Sequence, residues 1–247
     1  MFNLFRKKID TPAELFFHTD IHSHVIPGID DGSPSADISA ELVKRMKSWG
    51  LTRLIATPHV TESTFENTPE IMDKAMETLK SELLSRGIDI ELSHSAEYRL
   101  DDLFGREFAA GNISPFPNDF LLVENSFIQE PWGLDETLFD LKVKGYNPIL
   151  AHPERYMYYH SKKERYKKLH NDGTLFQVNL LSLAGHYGRD ARRAAEFLIE
   201  QGMVDFIGTD LHNERHADAI EAYLASKDYV RDSAALKGVI LNDTAFN

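Results

Sequence analysis

The sequence contains no cysteine. That removes thiolate metal ligands, thiol nucleophiles and disulfides together, so any metal ion must be held by His, Asp and Glu. Basic residues are also scarce: 27 Lys and Arg stand against 39 Asp and Glu, for a net charge of −12. Affinity for a polyanion rests on clustered Lys and Arg, so this balance argues against general nucleic-acid binding. It does not exclude a small anionic substrate, because acidic groups gathered in one cleft become cation ligands and the bound ions then set the local potential. No apolar run approaches the roughly 18 residues of a membrane span, and Met1–Lys8 lacks the apolar core of a signal peptide. The expectation is a cytoplasmic protein with no membrane span. Repeats, low-complexity tracts and interdomain linkers are also missing.

What is present is ordinary for a globular chain: 247 residues, 42% hydrophobic and 27% charged. A single (β/α) barrel occupies this length without splitting. Residues 1–14 precede the first periodic segment and read as an N-terminal extension, with a Phe/Leu and Arg/Lys patch before Asp10-Thr11-Pro12. Residues 15–247 read as one domain.

The domain alternates strand and helix patterns. Leu15 to Val25 is expected as a strand, followed by a turn with Ser33 as N-cap and Pro34 at the first helical position. Ile38, Leu42, Met46 and Trp49 then mark a buried helical stripe ending at Gly50. A strand over Leu51–Thr57 leads to a helix entered at Thr68-Pro69, with Ile71, Ala75, Leu79 and Leu83 on its inner face. Further strands are expected over Ile88–Ala96, Phe120–Val123, Asn147–Ala151, Leu175–Asn179 and Val204–Thr209, with Gly238–Leu241 as a last one. Helices fall at about 131–145, 161–171, 190–201 and 214–227, most closed by glycine. This βαβα order reads as a parallel barrel, with a doubly wound open sheet as the alternative.

The polar residues favour the barrel. In the first strand His18, Asp20, His22 and His24 share one parity, a costly row to bury unless a divalent cation compensates it. His24, His59, Glu97, Glu124, His152, Asp210 and His212 all fall at or just past a strand's C-terminal end, the face on which barrel active sites are built. An HxH pair alone is a weak signal, and a carboxylate at a strand end commonly caps the next helix. Their joint placement points to a multinuclear metal site. Asp31, Glu97, Glu124 and Asp210 contribute −4, so three divalent ions would leave +2, or +1 after a bridging hydroxide. That excess suits a phosphate ester and phosphoryl transfer to metal-activated water. Such ligands admit manganese, iron or zinc.

Asp20-Ile-His-Ser-His24 with Gly28-Ile-Asp-Asp-Gly32, then Thr57-Pro-His59, Ala96-Glu97, Glu124, Ala151-His-Pro-Glu-Arg155 and Thr209-Asp-Leu-His212, resemble the polymerase-and-histidinol-phosphatase (PHP) superfamily. Within it the sequence is most similar to the bacterial capsular-polysaccharide tyrosine-phosphatase branch, from about residue 18 to 215. The resemblance implies a distorted, TIM-like (β/α)7 barrel with a trinuclear site that is usually manganese-dependent. It implies a first metal held by His22, His24, Glu97 and Asp210, a second by Glu97, Glu124 and His152, and a third by Asp31, His59 and His212. It offers Arg155 as the phosphate-binding arginine, a role suited to a guanidinium fork, and Arg215 as a second. Arg99 and Arg189 are further arginines in reach of the motifs. Asn125–Trp132 is aromatic enough to wall a tyrosine-ring pocket.

The activity implied is hydrolysis of phosphotyrosine, on the tail of a bacterial tyrosine kinase controlling capsule or exopolysaccharide assembly. Histidinol-phosphate phosphatase, a proofreading exonuclease module and a non-enzymatic kinase-binding regulator are the competing readings. The first shares the metal shell, the second conflicts with the acidic balance, and the third leaves the retained ligands unexplained.

Overall fold

The computed structural model describes residues 14–247, so the extension expected over 1–14 lies, apart from Glu14, outside the described residues. Among the described residues there are nine short strands: β1 Thr19–Asp20, β2 Arg53–Ala56, β3 His59–Val60, β4 Glu91–His94, β5 Glu97–Arg99, β6 Phe120–Glu124, β7 Asn147–Ala151, β8 Leu175–Asn179 and β9 Phe206–Gly208. All of their pairings are parallel, in the orders β1-β2-β4 and β3-β5-β6-β7-β8-β9. The helices are α1 Ala36–Ser48, α2 Pro69–Ser85, α3 Asp102–Ala110, α4 Leu134–Val143, α5 Lys163–Asn171, α6 Leu180–Leu183, α7 Arg189–Glu200, α8 Glu214–Leu224 and α9 Lys227–Leu236. Parallel neighbours need a crossover, and these helices supply it. The result is a mixed α/β, single-domain fold around a curled parallel sheet.

The curl brings the two ends of the strand series together. Asp210 N–H donates to His22 O at 2.7 Å, His24 N–H donates to Leu211 O at 3.0 Å, and Ser23 bridges Leu211 in parallel. Buried Asp20 adds a side-chain tie: its carboxylate accepts from Thr209 N–H at 3.0 Å and from Thr209 Oγ1 at 2.7 Å. Burial lifts the Asp20 pKa to about 6 against those hydrogen bonds. Ile21, Ile55, Leu122, Ile149 and Phe206 form an inner apolar cluster with Phe116 and Phe246, while a larger cluster fills the layer between sheet and helices.

Several expectations are corrected. The first strand is not continuous over Leu15–Val25; only Thr19–Asp20 is ladder-paired, and the chain beyond it is held by the ties to 209–211. Ser35, not Ser33, caps α1 by accepting from Ile38 N–H, leaving Pro34 ahead of the cap. The inner face of α2 is Met72, Met76, Leu79 and Leu83, one position on from Ile71 and Ala75, and Ile71 is 43% exposed. Gly238–Leu241 forms a turn rather than a strand. Its pairing role passes to the side chain of buried Asn242, which accepts from Ile207 N–H and donates to Ile207 O and Thr19 O.

Candidate metal centre

The site is built on the strand ends. His22 and His24 follow β1, His59 opens β3, Glu97 opens β5, Glu124 closes β6, His152 follows β7, and Asp210 and His212 follow β9. Strand termini aim their last side chains along one rim of the sheet, and the helices that follow leave that rim open. His152 and Asp210 occupy left-handed backbone, with φ of 34° and 49°. Non-glycine residues rarely adopt it, and it turns both side chains back over the sheet end. Close backbone approach is needed too. A Cβ on Gly208 would lie 2.6 Å from His22 Cβ, and one on Gly32 would lie 2.2 Å from His24 O.

The predicted residues meet closely. His22 Nε2 is 3.2 Å from Glu97 Oε2 and 3.5 Å from Asp210 Oδ1, and His24 Nε2 is 3.5 Å from the same two oxygens. His152 Nε2 lies 2.9 Å from Glu97 Oε1 and 4.0 Å from Glu124 Oε2. His59 and His212 each bring Nε2 to 3.5 Å from Asp31 Oδ1. Through Nδ1, His59 also stands 3.1 Å from Glu97 Oε2 and 3.5 Å from Glu124 Oε1, so it touches a second group as well. The clusters whose ligand atoms share one small volume are His22–His24–Asp210, His22–Glu97–His152, His59–Glu97–Glu124 and His24–Asp31–His59–His212.

These residues fit a divalent cation on a further ground. His22 Nε2, His24 Nε2, His59 Nδ1, Glu97 Oε2 and Glu124 Oε2 are buried and make no hydrogen bond. Orphaned polar atoms cost free energy, and here they point at one another, as ligand atoms around an ion would. The outward ring nitrogens are held as ligating imidazoles require. His22 Nδ1 is 2.7 Å from Gln177 Oε1, and His24 Nδ1 is 2.8 Å from Asp30 Oδ2. Gln177 continues to Asn179, whose amide donates to Asp210 Oδ2 at 2.6 Å.

The imidazoles and carboxylates of the site balance one another's charge. Burial opposes ionisation of Glu97, yet the imidazoles of His22, His59 and His152 outweigh it and hold its pKa well below the usual carboxylate range. Asp210 is likewise held low by His22, His24, His212 and Arg155 against its burial. Burial and His59 depress His24, but Asp30 and Asp210 lift it to about 9. His59 is raised strongly by Glu97 and Glu124 despite burial.

Two of the sequence-selected residues behave differently from their motif partners. His18 and Asp20 share parity with His22 and His24 but do not reach the centre: His18 lies 3.3 Å from Asp243 at the opposite end, and Asp20 serves Thr209. Six residues of extended chain span about 20 Å, which only the last members of the row can use. Arg155 is brought in, with Nη1 2.9 Å from Asp210 Oδ2 and its guanidinium between the rings of Phe127 and Tyr187, at 4.6 and 4.0 Å. Arg215 is not: it is exposed on the first turn of α8, and His216, one residue on, lines the cleft instead. Arg189 is exposed at the start of α7. Arg99 lines the cleft and grips Glu124 Oε1 through Nε and Nη2 at 3.1 and 2.9 Å. Tyr187, Phe65 and Gln177 were not singled out by sequence; they lie outside the motifs, and only the fold brings them near.

The cleft over these groups has a volume of about 460 Å³. Among curated proteins, the chain is 29% identical over 199 residues to tyrosine-protein phosphatase YwqE of Bacillus subtilis (strain 168), covering 78% of this chain and 77% of the relative. It is 29% identical over 199 residues to putative tyrosine-protein phosphatase CapC of Staphylococcus aureus, with 78% and 76% covered. It is 27% identical over 226 residues to tyrosine-protein phosphatase CpsB of Streptococcus agalactiae, with 87% and 92% covered. The fold matches the crystal structures of YwqE from Bacillus subtilis and CpsB from Streptococcus pneumoniae, described as metal-dependent tyrosine phosphatases. That match has a TM-score of 0.75 and 24% identity, and covers 90% of this chain and 95% of the other. Residues 18–227 match the family described as capsular polysaccharide synthesis, CpsB/CapC, and the chain belongs to that family.

Proposed function

We propose that this chain is a metal-dependent protein-tyrosine phosphatase. The observation that carries the reading is the set of unpartnered, convergent His and carboxylate atoms beside a cleft that also holds Arg155. Curated relatives bearing the tyrosine-phosphatase name support it. Three ions would be held by His22, His24, Glu97 and Asp210; by Glu97, Glu124 and His152; and by Asp31, His59 and His212. Manganese is our choice, with iron or zinc compatible with the same ligands. When bound, such ions supply Lewis acidity and a water activated at neutral pH.

The chain's own residues set the rest of the chemistry. Arg155 binds the phosphoryl oxygens, its guanidinium packed against the rings of Phe127 and Tyr187 so that little side-chain freedom remains to be lost. Asp31, at the cleft rim, is kept ionised: the hydrogen bond from His212 outweighs partial burial and puts its pKa at about 2. With no cysteine in the chain, a phosphocysteine intermediate is excluded. We read the sheet as seven strands, β2 with β3 and β4 with β5 being single strands interrupted at Pro58 and at Ser95-Ala96, closed where Ser23 meets Leu211. The natural substrate in this reading is the phosphorylated tyrosine-rich tail of a bacterial kinase, met in the cytoplasm.

The test is hydrolysis of a phosphotyrosyl peptide beside histidinol phosphate, with protein stripped by chelator and then given manganese. Manganese should restore cleavage of the peptide preferentially, and His24→Ala or Glu97→Ala should abolish it. Turnover of histidinol phosphate alone would overturn the tyrosine reading, and silence on both would favour a non-enzymatic regulator.

A further inference from the structure

Two phenylalanines line the cleft: Phe65 has no task in the scheme above, and Phe127 has one only towards Arg155. Phe65 stacks on the His59 ring, with centroids 5.9 Å apart and planes 14° apart. Phe127 stacks on His152 at 5.5 Å and 23°. Both line the same cleft. His59 stands on β3 and His152 follows β7, with β5 and β6, which carry Glu97 and Glu124, between them. The two rings therefore rise on opposite sides of a floor made by those carboxylates. Three strand spacings, about 14 Å, separate their backbones, enough to admit a planar ring between the side chains.

Neither ring is packed as core. Phe127 keeps 37% of its surface exposed and Phe65 is half-buried, which is unfavourable for large aromatics unless something covers them. Both loops are nonetheless pinned. The Phe65 loop closes on itself through Thr61 N–H to Phe65 O at 2.9 Å and Phe65 N–H to Thr61 O at 3.0 Å. Asn67 ties its far end to Ile29 O and His59 O, and Asp101 accepts from Glu62 N–H. The Phe127 loop is held by Tyr156 Oη accepting from Asn125 N–H, Tyr158 Oη donating to Ser126 O, and Glu130 paired bidentately with Arg165. Rings exposed on rigid supports are preorganised to bind, because little entropy remains to be lost when they are covered.

We propose that Phe65 and Phe127 are specificity-determining residues whose rings receive the aromatic ring of an aryl phosphate while Arg155 holds the phosphoryl group below. The proposal rests on the phosphatase reading for the phosphoryl end of the site and adds the recognition of the leaving group. Aromatic pairs prefer offset or edge-on contact and gain affinity beyond area burial, so two walls give about a tenfold preference for an aryl over an alkyl phosphoryl group.

The test uses non-hydrolysable probes, so that the better leaving ability of phenolate does not enter. Binding of phenylphosphonate and methylphosphonate to the manganese-loaded protein is measured by calorimetry, in wild type and in Phe65→Leu, Phe127→Leu and the double variant. Leucine keeps the apolar packing over His59 and His152 while removing the aromatic face. The wild type should bind phenylphosphonate about tenfold more tightly than methylphosphonate. Phe65→Leu should lower the phenylphosphonate preference by about threefold while its methylphosphonate affinity stays within about twofold; Phe127→Leu, which also alters the packing of Arg155, should weaken both probes but phenylphosphonate more, and the double variant should show the smallest ratio. A wild type with no aryl preference, or variants that weaken both probes equally, would overturn the inference. If phenylphosphonate binds preferentially but no phosphotyrosyl peptide is cleaved, the phosphatase reading fails and the aryl site stands.

Discussion

At the scale of single residues, the centre depends on side chains that would never touch an ion. Gln177 fixes the His22 ring through Nδ1 and passes the restraint through Asn179 to Asp210, so one amide chain orients two of the residues we propose as ligands. Substitution Gln177→Leu should weaken manganese affinity by about 10–100-fold, the usual effect of losing such a support. Chelator competition measures this, and unchanged affinity would mean that the ring is held by packing alone. The close passage at Gly208, where a Cβ would meet both His22 Cβ and Gln177 Nε2, leaves no room for a side chain between these partners. Glu154 illustrates a different use of burial. It lies between His152 and Arg155 in sequence, yet it turns away to accept from Asn179 N–H and Ser182 Oγ, and burial lifts its pKa to about 7 against those bonds. Its place is in holding the turn that aims its neighbours.

At the scale of elements, the carboxamide of Asn242 does the work of a strand. It bonds both peptide groups of Ile207 and the carbonyl of Thr19, joining the first and last strands of the series from a segment that is itself a turn. Asn242→Ala leaves three buried backbone groups without partners and should cost about 2–3 kcal/mol, read as a lower urea midpoint at unchanged slope. A wild-type midpoint would show that the sheet ends are held sufficiently by Thr209 and Asp20. The same region shows where sequence reading stops. The apolar run Val239-Ile-Leu241 has strand composition, and only tertiary contacts decide that its backbone turns while the next side chain bonds the edge. Strands β6, β7 and β8 were legible because buried apolar runs stop at a turn or a charged residue. Helix α3, capped by Asp101, escaped notice because Gly105 interrupts its pattern, and helix α9, capped by Ser226, because it begins three residues after the end of α8. The convergence of His22, His24, His59, Glu97, Glu124, His152, Asp210 and His212 was legible for another reason: they are polar residues at strand ends, where a parallel sheet gathers polarity on one face. The exposure of Arg215 was not legible, because sequence distance from Asp210 and His212 does not show which face of α8 it occupies.

At the scale of the whole molecule, proton and metal compete for one network. The metal-free fold raises His22, His24 and His59 above their ordinary value of 6.5. Their stabilising contribution is therefore fully present below that value and is lost as pH rises, through about 9 for His24. Glu97 and Asp210, held low, act in the opposite sense and lose their contribution only as pH falls through their depressed values. The metal-free protein should accordingly be more stable to urea at pH 6.5 than at pH 9.5. The increment on adding manganese should grow from pH 6 to pH 8, because ligation displaces those protons. Denaturation curves with and without the ion at each pH check both statements, and a manganese increment that shrinks with rising pH would contradict the assignment of the imidazoles. The meeting of residues 22–24 with 209–212 also has a consequence for synthesis. His22 is made early, but its partner Asp210 follows 188 residues later (210 − 22). At about 5–20 residues per second, that is roughly 10–40 s during which the emerging chain carries an incomplete set of donors. The centre is thus completed only once His212 has been made, and its capacity to hold an ion reports that the two ends of the strand series have met.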